Sequence, residues 1–405
     1  MRMCPGVPSF KYRTWRSRRG NILVMAAIFM TTVLGFTALV VDVGYIIVIR
    51  SQMKSASDAA ALAAGLELAA GYGPGATRTQ SDTVTLARTA GQTVAAANRM
   101  LDRSSSYLNP TRDLEFGRRV WDSATQKFTY QWGTGPYDCI KASILRDQPM
   151  PQGSTVTPPD ASLKLFFARA LGNQTASCRA STIVALKPAV GIRIDASSSS
   201  TADVLPIALD QQTWVNLLAA TNTSVFGDSY SYNSTTGAVT SGADGIKEVN
   251  IYPYGSSNLP PGNRGTVDFG SSNNSTTDLS RQIRYGINAQ DLSYLPNHEI
   301  RFDNGPMIIN GDTGISAGIK DDLAAIIGRP RAMPLFTSVS GPGNNAMYTI
   351  PRLVGIRILY VQLTGSPSQK KVVVQPATMV MKNAITSNTA QTTYDSIFAP
   401  IKIVQ

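Results

Sequence analysis

Three side chains carry the oxygen atoms that a metal site would need. They are Asp195, Ser197 and Ser199, in the string Asp195-Ala196-Ser197-Ser198-Ser199. The apolar residues 191–194 predict a strand whose end would present these side chains together. Carboxylate and hydroxyl oxygens bind hard divalent cations such as Mg²⁺ and Ca²⁺. A run of serines is also typical of an exposed loop, so the pattern leaves both a metal site and a loop open.

Two further patterns could carry catalytic chemistry. The string Gly311-Asp312-Thr313-Gly314 contains the Asp-Thr-Gly of aspartic proteases, but that mechanism needs two carboxylates that share a proton, and the chain has no second such string. A turn at Asp312 is the favoured interpretation. His298 is the only histidine, which excludes a two-histidine metal centre within one chain and predicts a surface residue. We therefore predict no enzyme activity and no cofactor.

The cysteines leave room for one disulfide outside the cytoplasm. The chain has three, Cys4, Cys139 and Cys178. In an oxidising compartment Cys139 and Cys178 could pair and contribute about 3 kcal/mol. Two independent thiols are an equally good interpretation, because spacing alone does not show how far apart they lie.

The element that must position everything else is the apolar segment 22–41. Twenty helical residues span about 30 Å, the thickness of the hydrocarbon core of a bilayer. A cleaved signal peptide would have a shorter apolar core that ends at a small-x-small site, whereas apolar residues continue here through 43–49. We therefore predict an uncleaved anchor in the lipid bilayer over residues 21–49.

The charges around this segment predict its orientation. Basic residues precede it and a single acid follows: Arg2, Lys11, Arg13, Arg16, Arg18 and Arg19, then Asp42. Lysine and arginine resist transfer across a membrane, so the tail 1–20 should stay in the cytoplasm and the rest be exported. Asp42 at the membrane edge would need water, headgroups or a cation of another subunit. Subtracting the six tail charges from the formal +11 leaves +5, which does not predict nucleic-acid binding.

The rest of the sequence predicts an α+β protein in which the transmembrane helix continues into a long exported helix, followed by a β-rich extracytoplasmic body. A helical stalk is expected over 50–100, because the segment 59–70 is rich in alanine and a second helix is predicted at 81–99. An α+β domain over 101–220 begins with a hairpin that turns at 122–126. A loop-rich segment at 221–280 is rich in Ser, Thr, Asn and Gly, and a β-rich C-terminal domain follows at 281–405.

Three motifs in and around the anchor resemble a known family. The stretch Arg18-Arg19-Gly20-Asn21, then Val41-Asp42-Val43-Gly44 and Ser57-Asp58-Ala59-Ala60-Ala61-Leu62-Ala63-Ala64, is similar to the N-terminal module of TadE/TadG-like proteins of the Flp (tight adherence) pilus-assembly system. The resemblance covers roughly residues 16–70. It implies a single-pass protein of the bacterial inner membrane with a periplasmic or extracellular body. Other Tad/Flp pilus-assembly membrane proteins would be its partners.

Three functions remain open from the sequence. The first is a non-enzymatic pilus-assembly or surface-attachment component that associates with protein partners, with homo-oligomerisation through the small-residue surface of the anchor and stalk helix. The second is a metal-dependent adhesin, because Asp195, Ser197 and Ser199 resemble the D-x-S-x-S string of von Willebrand A domains. The third is an envelope hydrolase, for which the sequence offers no nucleophile–base pair.

Overall fold

The computed structural model describes residues 21–149, 157–220, 226–252, 264–270, 275–312, 314–341, 343–387 and 396–404. A long apolar helix leads into a β-rich body with short helices, which confirms the predicted α+β class. Within these residues the helices are α1 (Asn21–Leu68), α2 (Gln80–Ala97), α3 (Gln211–Ala219), α4 (Thr276–Tyr285), α5 (Ala289–Leu292) and α6 (Lys320–Ala324). The chain forms two units, Met1–Gln52 with Arg146–Arg179 and Met53–Leu145 with Ala180–Gln405.

The strands of the described residues are named in chain order. The first thirteen are β1 (Leu114–Asp122), β2 (Lys127–Trp132), β3 (Cys139–Arg146), β4 (Leu163–Lys164), β5 (Thr175–Ala176), β6 (Cys178–Arg193), β7 (Ile207–Asp210), β8 (Tyr230–Tyr232), β9 (Val239–Ser241), β10 (Val249–Asn250), β11 (Arg264–Val267), β12 (Glu299–Arg301) and β13 (Met307–Asp312). The others are β14 (Pro330–Phe336), β15 (Ser338–Ser340), β16 (Ala346–Ile350), β17 (Arg352–Gln362), β18 (Lys371–Pro376), β19 (Met379–Val380), β20 (Ala384–Thr386) and β21 (Ile397–Ile403).

Two large sheets collect strands from distant parts of the chain. An eight-stranded sheet has the order β19-β21-β6-β3-β1-β2, with β12 and β20 also paired to β6. A nine-stranded sheet has the order β10-β18-β17-β14-β7-β11-β13-β16-β15 and contains one parallel pair, β7 with β14. Each sheet therefore uses strands from both sides of residues 221–280. The linear domain boundaries at 100, 220 and 280 stay predictions.

The nine-stranded sheet separates two hydrophobic cores. Alternate residues of a strand point to opposite faces, and on β14 Ala332 joins one core while Met333 joins the other. The core that contains Ala332, which we call the intersheet core, also contains Val190 and Ile192 of β6 and Tyr348 of β16. The core that contains Met333, which we call the helix-side core, is covered by α3, α4 and α6. Their side chains in this core are Trp214, Leu217, Leu279, Ile283 and Leu323. The body is thus built in three layers: sheet, sheet and helices.

The small residues of the predicted stalk face their own chain. Ala56, Ala60, Ala61 and Ala64 of α1 are all 0% exposed. A Cβ atom on Gly91 of α2 would lie 3.4 Å from the Ala60 oxygen and 3.4 Å from the Ala64 Cβ, so the two helices approach closely. Helix α2 therefore covers part of this surface, and homo-oligomerisation through the stalk stays a prediction.

The secondary-structure predictions agree best where the local signals are strong. The predicted hairpin pairs Asp122 with Lys127 across the turn, and α2 begins at a capping Thr79 that accepts a hydrogen bond from Asp82 N. The strand predicted at 191–194 is the end of a longer strand, β6, that runs through Pro188. In the predicted loop segment 221–280, the described residues contain short strands and the start of α4.

We expect Trp214→Ala to destabilise the body by about 3–5 kcal/mol, because it removes a large buried side chain from the helix-side core. Trp214 is 2% exposed, whereas its neighbour Val215 is 42% exposed. Val215→Ala is the matched control and should change the stability by less than about 0.5 kcal/mol. Unfolding of the detergent-solubilised full chain, followed by circular dichroism, measures both. Equal destabilisation by the two variants would contradict the packing of α3.

Candidate functional site on the N-terminal helix

One face of α1 becomes covered at the end of the predicted span. In the isolated chain, every residue from 22 to 41 except Ala38 is exposed. Asp42 is then 2% exposed and Ile49 is 0% exposed, with the partly covered Tyr45 and Ile46 between them. These four residues follow the i, i+3, i+4, i+7 spacing of one helix face. The covered face therefore begins at a carboxylate.

Asp42 accepts three hydrogen bonds from the backbone of a distant segment. Its Oδ1 lies 2.8 Å from Phe166 N, and its Oδ2 lies 3.0 Å from Phe167 N and 2.6 Å from Ala168 N. Bonds from amides to a carboxylate are among the stronger ones in proteins. We call this arrangement the Asp42 clamp. The clamp shows how an acid is accommodated next to the apolar segment: backbone amides of the same chain supply its hydrogen-bond donors.

The clamp also explains the local structure of residues 163–176. The three amides lie at the start of a 3₁₀ helix, Ala168–Leu171: Ala168 is its first residue, Phe167 is its N-cap residue and Phe166 precedes the cap. Phenylalanine has no side-chain acceptor, and the first amides of a helix have no partner within it. Asp42 therefore caps this helix from another part of the chain. Strand β4 ends at Lys164, two residues before the first amide that bonds Asp42.

Three further contacts hold this segment, which we call the 163–176 hairpin. Strands β4 and β5 pair Leu163 with Ala176, and the next bond joins Leu165 N to the Gln174 oxygen at 3.1 Å. Gly172 ends the 3₁₀ helix with a φ of +87°, a conformation that favours glycine. The ring of Phe166 packs edge to face on that of Tyr45, with centroids 5.2 Å apart.

A second polar cluster attaches α1 to strand β6. Lys54 Nζ donates to the Ser181 oxygen at 3.0 Å and to Thr182 Oγ1 at 2.8 Å. Ser57 Oγ lies 2.7 Å from Thr182 Oγ1, and Thr182 donates in turn to Asp58. Ser57 and Thr182 are both 0% exposed. The polar residues Lys54, Ser57 and Asp58 thus attach α1 to β6 by hydrogen bonds.

The residues predicted to hold a metal lie on an exposed loop after β6. Asp195 Oδ1 accepts hydrogen bonds from Ser197 N at 2.9 Å and from Ser197 Oγ at 2.7 Å, and these bonds lower the pKa of the carboxyl below its usual value. Ser198 bonds Ser200 instead, and Ser199 is exposed. Among the described residues no group of three or more His, Cys, Asp or Glu side chains could hold a metal. A metal site here stays a prediction.

The other sequence-predicted residues have the following positions. Cys139 and Cys178 are buried free thiols, and burial raises the pKa of both; their pairing stays a prediction. His298 is exposed, as predicted. Asp312 ends β13, where its carbonyl accepts a bond from Gly314 N. Arg13, Arg16, Arg18 and Arg19 lie outside the described residues.

Sequence reasoning identified Asp42 but not its partners. The clamp joins residues 124 to 126 positions apart, and the donors are backbone amides, which every non-proline residue has. The partners of Thr182 were also not predicted, because they lie more than a hundred residues away and a single hydroxyl in a strand gives no sign of them.

Comparison with known proteins adds a match for the N-terminal helix. Residues 20–71 match the model of the TadE/G-like Flp pilus-assembly family, which confirms the resemblance over that segment. The matched segment contains Asp42, Ser57 and Asp58, the acceptors and donors of the two attachments. One helix in the described residues, Ile22–Gly71, is long and apolar enough to cross a membrane. No curated protein and no solved structure matches the chain.

We expect Asp42→Ala to release the 163–176 hairpin. Hydrogen bonds to charged groups contribute about 1.5–3 kcal/mol each, so the amides of 166–168 should exchange at least about tenfold faster. Asp42→Asn keeps one carbonyl acceptor without the charge and should give an intermediate rate. Hydrogen exchange of the full chain in detergent, read on peptides that cover 163–172, measures the series. Unchanged exchange in Asp42→Ala would show that something else protects these amides.

We expect calcium to leave the thermal stability of the protein unchanged, because Ser197 already donates two hydrogen bonds to Asp195 Oδ1. Melting midpoints in calcium and in chelator should agree for the wild type and for Asp195→Ala. Asp122→Ala is the matched control, since Asp122 accepts similar bonds from Ala124 and Thr125 in an exposed turn. A calcium-dependent rise that only Asp195→Ala abolishes would instead support the metal-dependent adhesin.

Proposed function

We propose that the chain is a non-enzymatic, membrane-anchored component of Flp/Tad-type pilus assembly or surface attachment that acts by associating with other proteins. The observation that carries this proposal is the family match over residues 20–71, which coincides with the apolar helix α1. Four polar residues of the matched segment, Asp42, Lys54, Ser57 and Asp58, make attachments within the chain. They leave its apolar surface as the part that can meet partners.

The proposed location is the bacterial inner membrane, with residues 1–20 in the cytoplasm and the body in the periplasm or outside the cell. The basic residues of the tail support this orientation, since lysine and arginine favour the cytoplasmic side. The helix supports a single span, because its apolar surface is exposed over 22–41 in the isolated chain. Lipid and the membrane-embedded parts of other pilus-assembly proteins would cover that surface.

The proposed association surface is the span itself rather than the stalk. Nothing lies within 4 Å of a Cβ built on Gly35 or on Gly44, so both positions leave room for a close helix partner. Without a hydrophobic driving force in lipid, helices associate through such close packing. Homo-oligomerisation of the chain would use this same surface.

A protease-protection and cross-linking experiment tests the proposal. In spheroplasts, external protease should remove a C-terminal tag and leave a membrane-bound N-terminal fragment. Replacing Arg13, Arg16, Arg18 and Arg19 by glutamine should mix the two orientations, because the tail then keeps only Arg2 and Lys11.

The partner is tested with a photo-reactive amino acid placed in α1. Leu34 is 62% exposed, whereas Ile49 is 0% exposed and serves as the matched control. A cross-linker at 34 should capture pilus-assembly membrane proteins or a second copy of the chain, and one at 49 should not. A soluble, uncaptured chain, or equal capture from both positions, would contradict the proposal.

A further inference from the structure

The tip of the 163–176 hairpin exposes three large apolar side chains. Phe166 is 61% exposed, Phe167 is 50% exposed and Leu171 is 81% exposed. The neighbouring Leu163 and Leu165 are 0% and 6% exposed, so the hairpin separates one buried and one exposed set of apolar residues. Clustered exposed apolar residues on a fixed backbone mark a surface that meets a partner. The position of the tip along α1 indicates which partner.

The Asp42 clamp fixes the tip beside a part of α1 that still has an apolar outer surface. Beyond Asp42, Val43 is 45% exposed, Ile47 is 61% exposed and Val48 is 43% exposed. The apolar surface from residue 22 to 48 is about 40 Å long, which exceeds the hydrocarbon core of about 30 Å and reaches through the headgroup region. Asp42 lies about 9 Å before Val48 along the helix axis. The clamp, and the amides bound to it, therefore lie at the depth of the headgroups.

The charge of the hairpin fits the same environment. Residues 163–176 contain no Asp or Glu, and they contain Lys164 and Arg169, both of which are exposed. Basic side chains near a membrane surface are attracted to anionic phospholipids, and aromatic rings are enriched at membrane interfaces. The tip thus combines apolar side chains that can enter the acyl boundary with cations that can meet phosphates.

We propose that the hairpin tip is a second membrane contact, in which Phe166, Phe167 and Leu171 insert into the interface of the leaflet at the Asp42 end of the span, with anionic phospholipid as the ligand. The inference rests on the proposed anchoring of α1 in the bilayer. Asp42 acts as a positioning residue, because its bonds to the backbone hold the tip at this depth. Lys164 and Arg169 would lie at the level of the phosphates.

Spin labels on the full chain test the inference in vesicles of phosphatidylethanolamine and phosphatidylglycerol. In a Cys4→Ser background, the buried Cys139 and Cys178 stay unlabelled, and a nitroxide is attached at Leu171→Cys or at Leu34→Cys. Oxygen partitions into the acyl region and a nickel chelate stays in water, so the ratio of their collision rates with the label reports its depth. We expect oxygen to dominate at 171 and still more strongly at 34.

Adding Asp42→Ala to each labelled chain tests the positioning role of Asp42, with the label at 34 as the control. It should lower the oxygen-to-nickel ratio at 171 and leave the ratio at 34 unchanged; an unchanged ratio at 171 would overturn the positioning role of Asp42. Nickel collisions that dominate at 171 while 34 stays in lipid would place the tip in water and overturn the inference alone. Shielding of 171 from both reagents that is relieved by diluting the protein in lipid would make the tip a protein-binding surface. Nickel access at 34 would refute the anchor itself, and with it the proposed function.

Discussion

A carboxylate beside an apolar helix has to be satisfied by hydrogen bonds or by a cation, and the Asp42 clamp meets this constraint with three backbone amides. Ala168 N belongs to the first turn of a 3₁₀ helix, where it has no partner within the helix, and the other two amides directly precede that helix. The Asp42 carboxylate thereby gains hydrogen-bond donors, and the start of the 3₁₀ helix gains an acceptor. The position of the 163–176 hairpin on α1 follows from this exchange.

These contacts show what the acidic residues and alanines of the matched segment do within the chain. Two of the segment's three acidic residues, Asp42 and Asp58, bond groups more than a hundred residues away in the sequence, and neither lies in a group of metal-binding side chains among the described residues. After Asp58, Ala60 and Ala64 lie close to Gly91 of α2. The segment is thus an apolar helix with built-in attachment points. Such a device suits a protein that works by being held in place and by association.

Local signals in the sequence predicted the local structure well. The apolar run 22–41, the turn after Asp122 and the glycine-ended alanine-rich helix each depend on residues a few positions apart. The prediction was weakest where distant residues decide the structure. Strand β6 is an example: it runs through Pro188, which lacks an amide donor, and Pro188 pairs with Phe398 of β21. The hydrogen bonds of Asp42 and Thr182 were likewise invisible, since no pattern marks a backbone amide as a future donor.

The sequence separation of the clamp has a consequence for the order of synthesis. Asp42 is made early and its last partner, Ala168, follows 126 residues later. At about 5–20 residues per second, the carboxylate waits roughly 6–25 seconds before its donors exist. During that interval Asp42 depends on groups outside residues 166–168 for its hydrogen bonds. Closing the clamp is therefore a late event that joins the first-made helix to a segment made near the middle of the chain, and it divides the maturation of this protein into a stage before and a stage after that bond.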